Sequence, residues 1–325
     1  MSGLLTSDVH VDRALSNISI SFAQDSSRFI ATSAFPTVGV DRLTDKYYIF
    51  DRANYLRSVA GLRAEGSKSR RANPSISTAA YSCEEYSLDT AIDDKVEANA
   101  DAALNLQVSM TQYLTEQILM SRETSFANAA FTTGVWLGSS TGGDIGTAQL
   151  ATGNWDTAGS TPVFDLLREL ASVESKTGRR PNVVVLGYDV WTALQTNSDF
   201  LTRIQGSQLG IVTLDLLAAI LNVEKVVVPS SLKNTGLEGG TENTNYIFNP
   251  KDAAMYYAAP APGLMTPTAG YHFAFNSIAG TNGQGLRVRK YRDESISSQV
   301  IQVQAFFDFK VVSRDLGAFF TQVVS

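Results

Sequence analysis

The side chains that could do acid–base, nucleophilic or metal chemistry are few and scattered along this chain. The two histidines, His10 and His272, lie in unrelated contexts without HExxH spacing, so a metal site built from His and Cys is not expected. Cys83 precedes Glu84 and Glu85, whose negative charges disfavour a thiolate, and we interpret it as a structural thiol. A single cysteine also excludes an internal disulfide.

Two common motifs of catalysis and nucleotide binding are absent as well. The chain has neither a GxSxG nucleophile elbow nor a GxxxxGK[ST] phosphate loop. The glycine-rich run GTNGQG (280–285) precedes a predicted strand and not a helix, so it indicates a loop. The adjacent carboxylates of Asp93 and Asp94 do not face a common cleft. We therefore expect no catalytic residues, no metal, no cofactor and no enzymatic activity.

One basic stretch stands out near the N-terminus. The segment from Asp45 to Arg71 reads DKYYIFDRANYLRSVAGLRAEGSKSRR, with a predicted strand at 47–50. Against the single acid Glu65 it then places five cations, namely Arg57, Arg63, Lys68, Arg70 and Arg71. Such runs are usually solvated surface; the other interpretations are a phosphate-binding patch and a docking arm for a neighbouring subunit.

Composition places the chain among folded proteins. Its 325 residues are 44% hydrophobic and 18% charged, which allows one large core or two modest ones. A net charge of −6 argues against a general nucleic-acid coat. No apolar run is long enough for a transmembrane helix, and the N-terminus does not resemble a secretory signal.

Hydrophobic periodicity predicts a mixed α and β chain. Residues 1–44 are predicted to form an extended arm. The stretch 93–131 lacks Gly and Pro and predicts one helix about 58 Å long. A capping box at Thr90 and Asp93 is predicted to precede this helix. Further predicted elements are a helix over 162–176, buried strands at 182–186 and 225–228, a strand pair at 246–248 and 253–257, and long C-terminal strands over 286–309 and 300–312.

In this order, the blocks resemble the major capsid proteins of tailed double-stranded DNA bacteriophages, which share the Hong Kong 97-like fold. FPTV with YYIF is similar to the passage from arm to extended loop (E-loop), and 93–131 to the spine helix. NVVVLGYDVWTALQTNSDF, LLAAILNVEKVVVPSS, YIFNPKDAAMYYAAP and FFDFKVVSRDLGAFF are similar to successive later blocks. The resemblance implies an α+β fold with an arm (1–44), an E-loop (45–89), a peripheral domain (90–194), an axial domain (195–284) and C-terminal strands returning to the peripheral domain (285–325).

The resemblance also implies a function and partners. It implies a structural protein that self-assembles into hexamers and pentamers of an icosahedral shell around packaged double-stranded DNA, which it contacts nonspecifically. A separate scaffolding protein, a portal and a decoration protein are implied partners; no membrane is involved. The implied location is the virion capsid, assembled in the bacterial host cytoplasm. An encapsulin-type nanocompartment shell is the main alternative, and an α+β hydrolase a weaker one. The five cations of the E-loop are the expected inter-subunit contacts.

Overall fold

A computed structural model describes residues 28–50, 56–73, 75–100, 105–204, 212–237, 239–263 and 265–325. The described helices are α1 (Ala31–Ala34), α2 (Asp94–Asn99), α3 (Leu106–Ala130), α4 (Pro162–Thr177), α5 (Tyr188–Thr196), α6 (Ser198–Ile204) and α7 (Leu214–Leu221). The described strands are β1 (Thr37–Val40), β2 (Thr44–Phe50), β3 (Ile76–Ser82), β4 (Glu84–Asp93), β5 (Val183–Leu186), β6 (Lys225–Val227), β7 (Leu232–Asn234), β8 (Thr244–Tyr246), β9 (Ala253–Tyr256), β10 (Gly270–Phe275), β11 (Leu286–Asp293), β12 (Ser298–Val311) and β13 (Gly317–Phe320).

The first sheet is built around β12, the longest described strand. One edge of β12 pairs antiparallel with β4, and the other pairs first with β11 and then with β10, which in turn pairs parallel with β1. Since side chains alternate between faces, one face of β12 is apolar and packs against α3. That face carries Ile301, Val303, Ala305, Phe307 and Phe309. The strand predicted over 300–312 is confirmed, whereas the stretch predicted over 286–309 is divided by a turn at 294–297 into β11 and the start of β12.

The second sheet has the order β13-β9-β5-β6. Its strand β5 is the run VVVL, which is buried at every position because helices α4, α5 and α7 contribute apolar side chains on one side of the sheet and the α3 core lies on the other. Helix α4 begins at Pro162, which suits the first helical turn, and ends before Gly178, whose φ of 70° is left-handed. The helix predicted over 162–176 and the two buried strands are confirmed.

The sheets do not follow the linear division expected from sequence. Strand β5 lies before residue 194 and β6 after it, yet they pair in parallel. Strand β13, from the C-terminal segment, joins the same sheet through β9. The expected border at 194/195 therefore falls between paired strands, because parallel pairing joins segments that are distant along the chain.

The single helix expected over 93–131 is wrong: the described residues of this range form two separate helices. Asp93 caps α2 by accepting a hydrogen bond from the backbone N–H of Lys95, and Ala100 is extended, which ends α2. Asn105 then caps α3 by accepting from the N–H of Val108. Thr90, expected in a capping box, lies instead in β4.

The strand pair expected at 246–248 and 253–257 is also wrong. Strand β8 pairs with β7, and β9 pairs with β5 and β13. The connecting residues instead fold back under α5, where the carbonyl of Pro250 accepts hydrogen bonds from the N–H groups of Asp189 and Val190. The sequence located strands near both predicted positions, but each of them pairs with a different strand of the fold.

Candidate inter-subunit contact surfaces

A two-stranded ribbon, formed by β2 and β3, overlaps the stretch expected to be the E-loop (45–89), whose last residues belong to β4 of the first sheet. One face of its base packs on the body: Tyr81 stacks on Phe273 with ring centroids 4.4 Å apart, and Tyr47 lies 5.5 Å from the same ring. The opposite face carries Tyr48 and Ile76, which are 61% and 54% exposed. The ribbon thus has one docked face and one open apolar face.

The ribbon ends in a tip, residues 56–73, at which every residue is exposed. The tip holds its own turn, because Arg63 Nε donates to the carbonyl of Ser67 at 2.6 Å and Arg70 donates to that of Val59 at 3.5 Å. Leu62 is fully exposed. The five cations expected as contact residues all lie on this tip: Arg57, Arg63, Lys68, Arg70 and Arg71. Among the described residues, none of the five forms an ion pair with a carboxylate.

Cys83 joins the ribbon to the first sheet and is a buried thiol. It is 4% exposed, and Sγ lies 3.7 Å from the carbonyl oxygen of Phe273. Burial raises its pKa to about 12, and the charge of Asp308 adds to the effect. The interpretation as a structural thiol agrees with this geometry, although burial and Asp308 are the cause and not the neighbouring glutamates.

A buried charged pair on α3 was not found by sequence analysis. Glu123, fully buried, accepts hydrogen bonds from the N–H groups of Ile30 and Ala31, both at 2.9 Å. Burial raises its pKa to about 7, while those hydrogen bonds and the charge of Arg122 act in the opposite direction. Glu123 therefore fastens the segment that enters α1 onto the long helix.

Arg122 lies beside Glu123 and faces the aromatic layer of β12. Its guanidinium is 5.1 Å from the ring centroid of Phe307 and donates to the carbonyl of Gln284 at 3.0 Å. Burial lowers its pKa to about 10. The sequence signal for this pair was a charged Arg-Glu dipeptide in a helix that has one other charged residue, Glu116.

His272 is buried and stacks on Phe309 with centroids 4.6 Å apart. Burial, and then the charge of Arg122, lower its pKa to about 3, so it is neutral at physiological pH. Its Nδ1 lies 3.1 Å from the hydroxyl of Thr37 on β1. His272 is thus a core residue; the other histidine, His10, lies outside the described residues.

The glycine-rich run 280–285 forms the turn between β10 and β11. Gly285 has a φ of 77°, and a Cβ there would lie 2.3 Å from the carbonyl oxygen of Phe306, so only glycine fits. Within the described parts of the chain, no group of three or more His, Cys, Asp or Glu side chains is placed to hold a metal ion. The described helices include none with the length and apolarity to cross a membrane.

Comparison with solved structures gives the class of fold. A phage-related protein from Bordetella bronchiseptica RB50 is 16% identical, with a TM-score of 0.69 over 92% of this chain and 94% of that one. The capsid of cyanophage P-SCSP1u is 14% identical, with a TM-score of 0.59 over 98% and 94%. The SrpI encapsulin of Synechococcus elongatus PCC 7942 is 12% identical, with a TM-score of 0.58 over 96% and 95%. The fold is the α+β, Hong Kong 97-like capsid fold.

Sequence relatives then distinguish between the protein families that share this fold. The major capsid protein of Burkholderia phage BcepMu is 30% identical over 224 residues, which cover 68% of this chain and 69% of that protein. That of Pseudomonas phage JBD67 is 24% identical over 322 residues, 97% of each chain. No protein-family model matches the sequence. The chain belongs to the phage major capsid proteins.

Proposed function

We propose that this chain self-assembles into hexamers and pentamers of an icosahedral shell that encloses packaged double-stranded DNA. One observation carries the proposal: the tip 56–73 is exposed along its whole length and includes apolar side chains such as Leu62 and Leu56. Ordering a chain segment costs about 1–2 kcal/mol per residue, which contacts with another molecule have to offset. Neighbouring copies of the same chain supply such contacts at every position in a closed shell.

The finer assignments follow from this role. The partners are other copies of the chain, a separate scaffolding protein, a portal and a decoration protein, with nonspecific contact to DNA. The location is the virion capsid, with assembly in the bacterial host cytoplasm. We assign the peripheral domain to the core between α3 and the β12 sheet, and the axial domain to the core around β5 and β9, in place of the linear division.

An encapsulin-type shell is the second candidate, because the SrpI encapsulin shares the fold over nearly the whole chain. The two candidates differ in what surrounds the gene. Portal, terminase and tail genes beside it would support the phage capsid, whereas a gene for an enzyme cargo would support the nanocompartment. The 30% identity to a phage major capsid protein favours the first.

The tip supplies the first prediction. Replacing Arg63, Lys68, Arg70 and Arg71 by glutamine is expected to reduce the yield of closed shells severalfold while the monomer stays folded. Each exposed ion pair contributes only about 0–1 kcal/mol, but the loss recurs at every contact of a shell. Sedimentation and negative-stain microscopy would measure the shells, and circular dichroism the monomer.

The matched control keeps the charge of the tip. Exchanging the three arginines for lysine and Lys68 for arginine preserves four cations while changing the same positions. This variant should assemble far better than the glutamine variant. A glutamine variant that forms shells at the wild-type yield would show that the tip cations are not inter-subunit contacts.

A further inference from the structure

The turn between β10 and β11 contains the one Asn-Gly dipeptide of the sequence, Asn282-Gly283. Both residues are exposed. Because glycine has no side chain, nothing crowds its backbone nitrogen when the preceding side chain approaches it. A Cβ built on Gly283 would meet no heavy atom within 4 Å. The turn therefore presents a side-chain amide and the next backbone nitrogen together at the surface.

The hydrogen bonds of the Asn282 side chain all fall on its oxygen. Oδ1 accepts from the backbone N–H of Gln284 at 3.0 Å and from that of Leu286 at 2.9 Å. Within the part of the chain that the structure describes, neither Asn282 Nδ2 nor the N–H of Gly283 has a hydrogen-bond partner. The carbonyl of the amide is thus polarised, while its nitrogen and the following backbone N–H remain free.

We propose that Asn282 is a site of spontaneous deamidation, at which the folded chain converts its own amide to a carboxylate. Hydroxide removes the proton of the Gly283 nitrogen, and this nitrogen attacks Cγ of Asn282. The new C–N bond closes a five-membered succinimide ring as the bond from Cγ to Nδ2 breaks, and the leaving nitrogen takes up protons from water to depart as ammonia. Water then opens the ring at either carbonyl, which gives aspartate or isoaspartate. The sum consumes one water and releases one ammonia.

The two donors on Oδ1 favour the ring closure. As the Gly283 nitrogen attacks, negative charge moves onto Oδ1, at which the N–H groups of Gln284 and Leu286 already point. Donors that are in place before the charge develops lower the barrier without reorganisation. Asn276 supplies a contrast at the start of the same connection. It also precedes a small residue, but its Oδ1 is buried and has no hydrogen-bond partner among the described residues. Asn276 is therefore expected to react more slowly.

Conversion at Asn282 affects the long helix, because this turn contacts it. The carbonyl of Gln284 accepts the hydrogen bond of the buried Arg122 of α3 at 3.0 Å, and Gly285 is packed against the backbone of Phe306. An isoaspartate adds one backbone atom before Gln284, which moves that carbonyl relative to Arg122. Deamidation therefore weakens the contact between the turn and α3 as the chain ages. The reaction needs only the folded chain and is independent of the assembly role.

Incubation of the full-length chain in water enriched in heavy oxygen tests the reaction. Peptide mapping at intervals measures the oxygen label and the isoaspartate at each asparagine. Asn282 is expected to convert at least about tenfold faster than Asn276 and to take up one labelled oxygen. The rate should rise in proportion to the hydroxide concentration, because the nucleophile is the deprotonated nitrogen. The folded chain should convert at least as fast as the chain unfolded in guanidinium chloride, which lacks the two donors on Oδ1.

Gly283→Ala is the matched control for the reaction. The backbone of Gly283 is not left-handed and the space for a Cβ is open, so alanine fits while Asn282 keeps both of its donors. The added methyl group crowds the attacking nitrogen, and conversion should fall about tenfold or more. The freshly made variant should unfold at the same temperature as the wild type.

A second control concerns the effect on α3. Converted chains carry one more negative charge and can be separated from unconverted chains by ion exchange. The converted fraction is expected to unfold at a lower temperature than the unconverted fraction. Asn282→Asp adds the charge without the extra backbone atom, so its unfolding temperature should fall less.

Three outcomes would overturn the inference. Conversion of Asn282 no faster than that of Asn276 would show that the turn is not a deamidation site. Slower conversion in the folded chain than in the unfolded chain would show that the turn protects the amide. Equal unfolding temperatures of the converted and unconverted fractions would show that the product does not weaken the contact with α3.

Discussion

Replacing Phe126 by alanine is expected to lower the free energy of unfolding by about 3–5 kcal/mol. Phe126 is 1% exposed, and its ring lies 5.3 Å from Phe35, 6.1 Å from Phe248 and 5.5 Å from Phe309. These partners come from the entry segment, the loop before β9 and the central strand β12. The cavity would thus open where the long helix meets three distant segments. Denaturant unfolding of the unassembled chain would measure the loss.

Phe164 provides the matched control for this substitution. It lies on α4 and is 52% exposed, so Phe164→Ala removes the same atoms from a site with half the contact. Its effect is expected to stay below about 1.5 kcal/mol. Equal unfolding midpoints for the two variants would show that the aromatic cluster around Phe126 does not hold the segments together.

Two separate buried groups, Glu123 and His272, should give opposite pH dependences of stability. Burial raises the pKa of Glu123 from 4.5 to about 7, so its contribution to stability is complete below pH 4.5 and is lost as the pH rises toward 7. Burial lowers the pKa of His272 from 6.5 to about 3, so its contribution is present above pH 6.5 and is lost as the pH falls toward 3. Between pH 4.5 and 6.5 the two contributions oppose each other.

Single substitutions separate the two contributions. In Glu123→Gln, the effect of His272 remains alone, and lowering the pH from 6.5 to 5 should cost about 1–2 kcal/mol more stability than in the wild type. In His272→Asn, the effect of Glu123 remains, and the same change should stabilise the chain relative to the wild type. Comparing each variant with the wild type at the same pH cancels the other titrating groups.

The measurement is thermal or denaturant unfolding of the unassembled chain at several pH values. Two variants with the pH dependence of the wild type would show that neither group is held in its unusual protonation state. A parallel change in both variants would contradict the opposite signs. Limited proteolysis near Ile30 would also test whether Glu123 fastens the entry segment, because Glu123→Gln replaces one of its two acceptor oxygens by an N–H donor.

Much of the fold followed from local patterns. The runs VVVL and KVV predicted buried strands, and Pro162 followed by an apolar period predicted α4, because these signals lie within one element. One strand of the ribbon was predicted at 47–50 and its tip from charge, whereas its second strand, β3, was not predicted. The predictions that failed concern which strands pair with each other and where a helix is interrupted. Parallel pairing of β5 with β6 joins segments about 40 residues apart, and no local pattern encodes that choice.

The interrupted long helix shows a different limit. The sequence from Asp93 to Phe131 lacks Gly and Pro, and helix propensity alone favours a continuous element. Two side-chain caps, at Asp93 and Asn105, set the beginnings of separate helices. The candidate contact surface was also predicted only in part. The tip cations were found as a run, whereas the docked face of the ribbon, where Tyr81 stacks on Phe273, depends on a tertiary contact.

The junction at Cys83 has a mechanical consequence. A single residue separates β3 from β4, so tension applied to the tip passes along the backbone into β4. Glu84–Asp93 pairs antiparallel with Ser298–Phe307, and its hydrogen bonds lie across the direction of pull. Pulling between Gly66 and Ile296 loads those bonds in shear and all together, whereas pulling between Gly66 and Lys310 opens them one after another. Single-molecule force measurements should give a distinctly higher rupture force for the first pair of attachment points. Tension applied between the tip and the loop before β12 is then borne by a strand ladder loaded in shear.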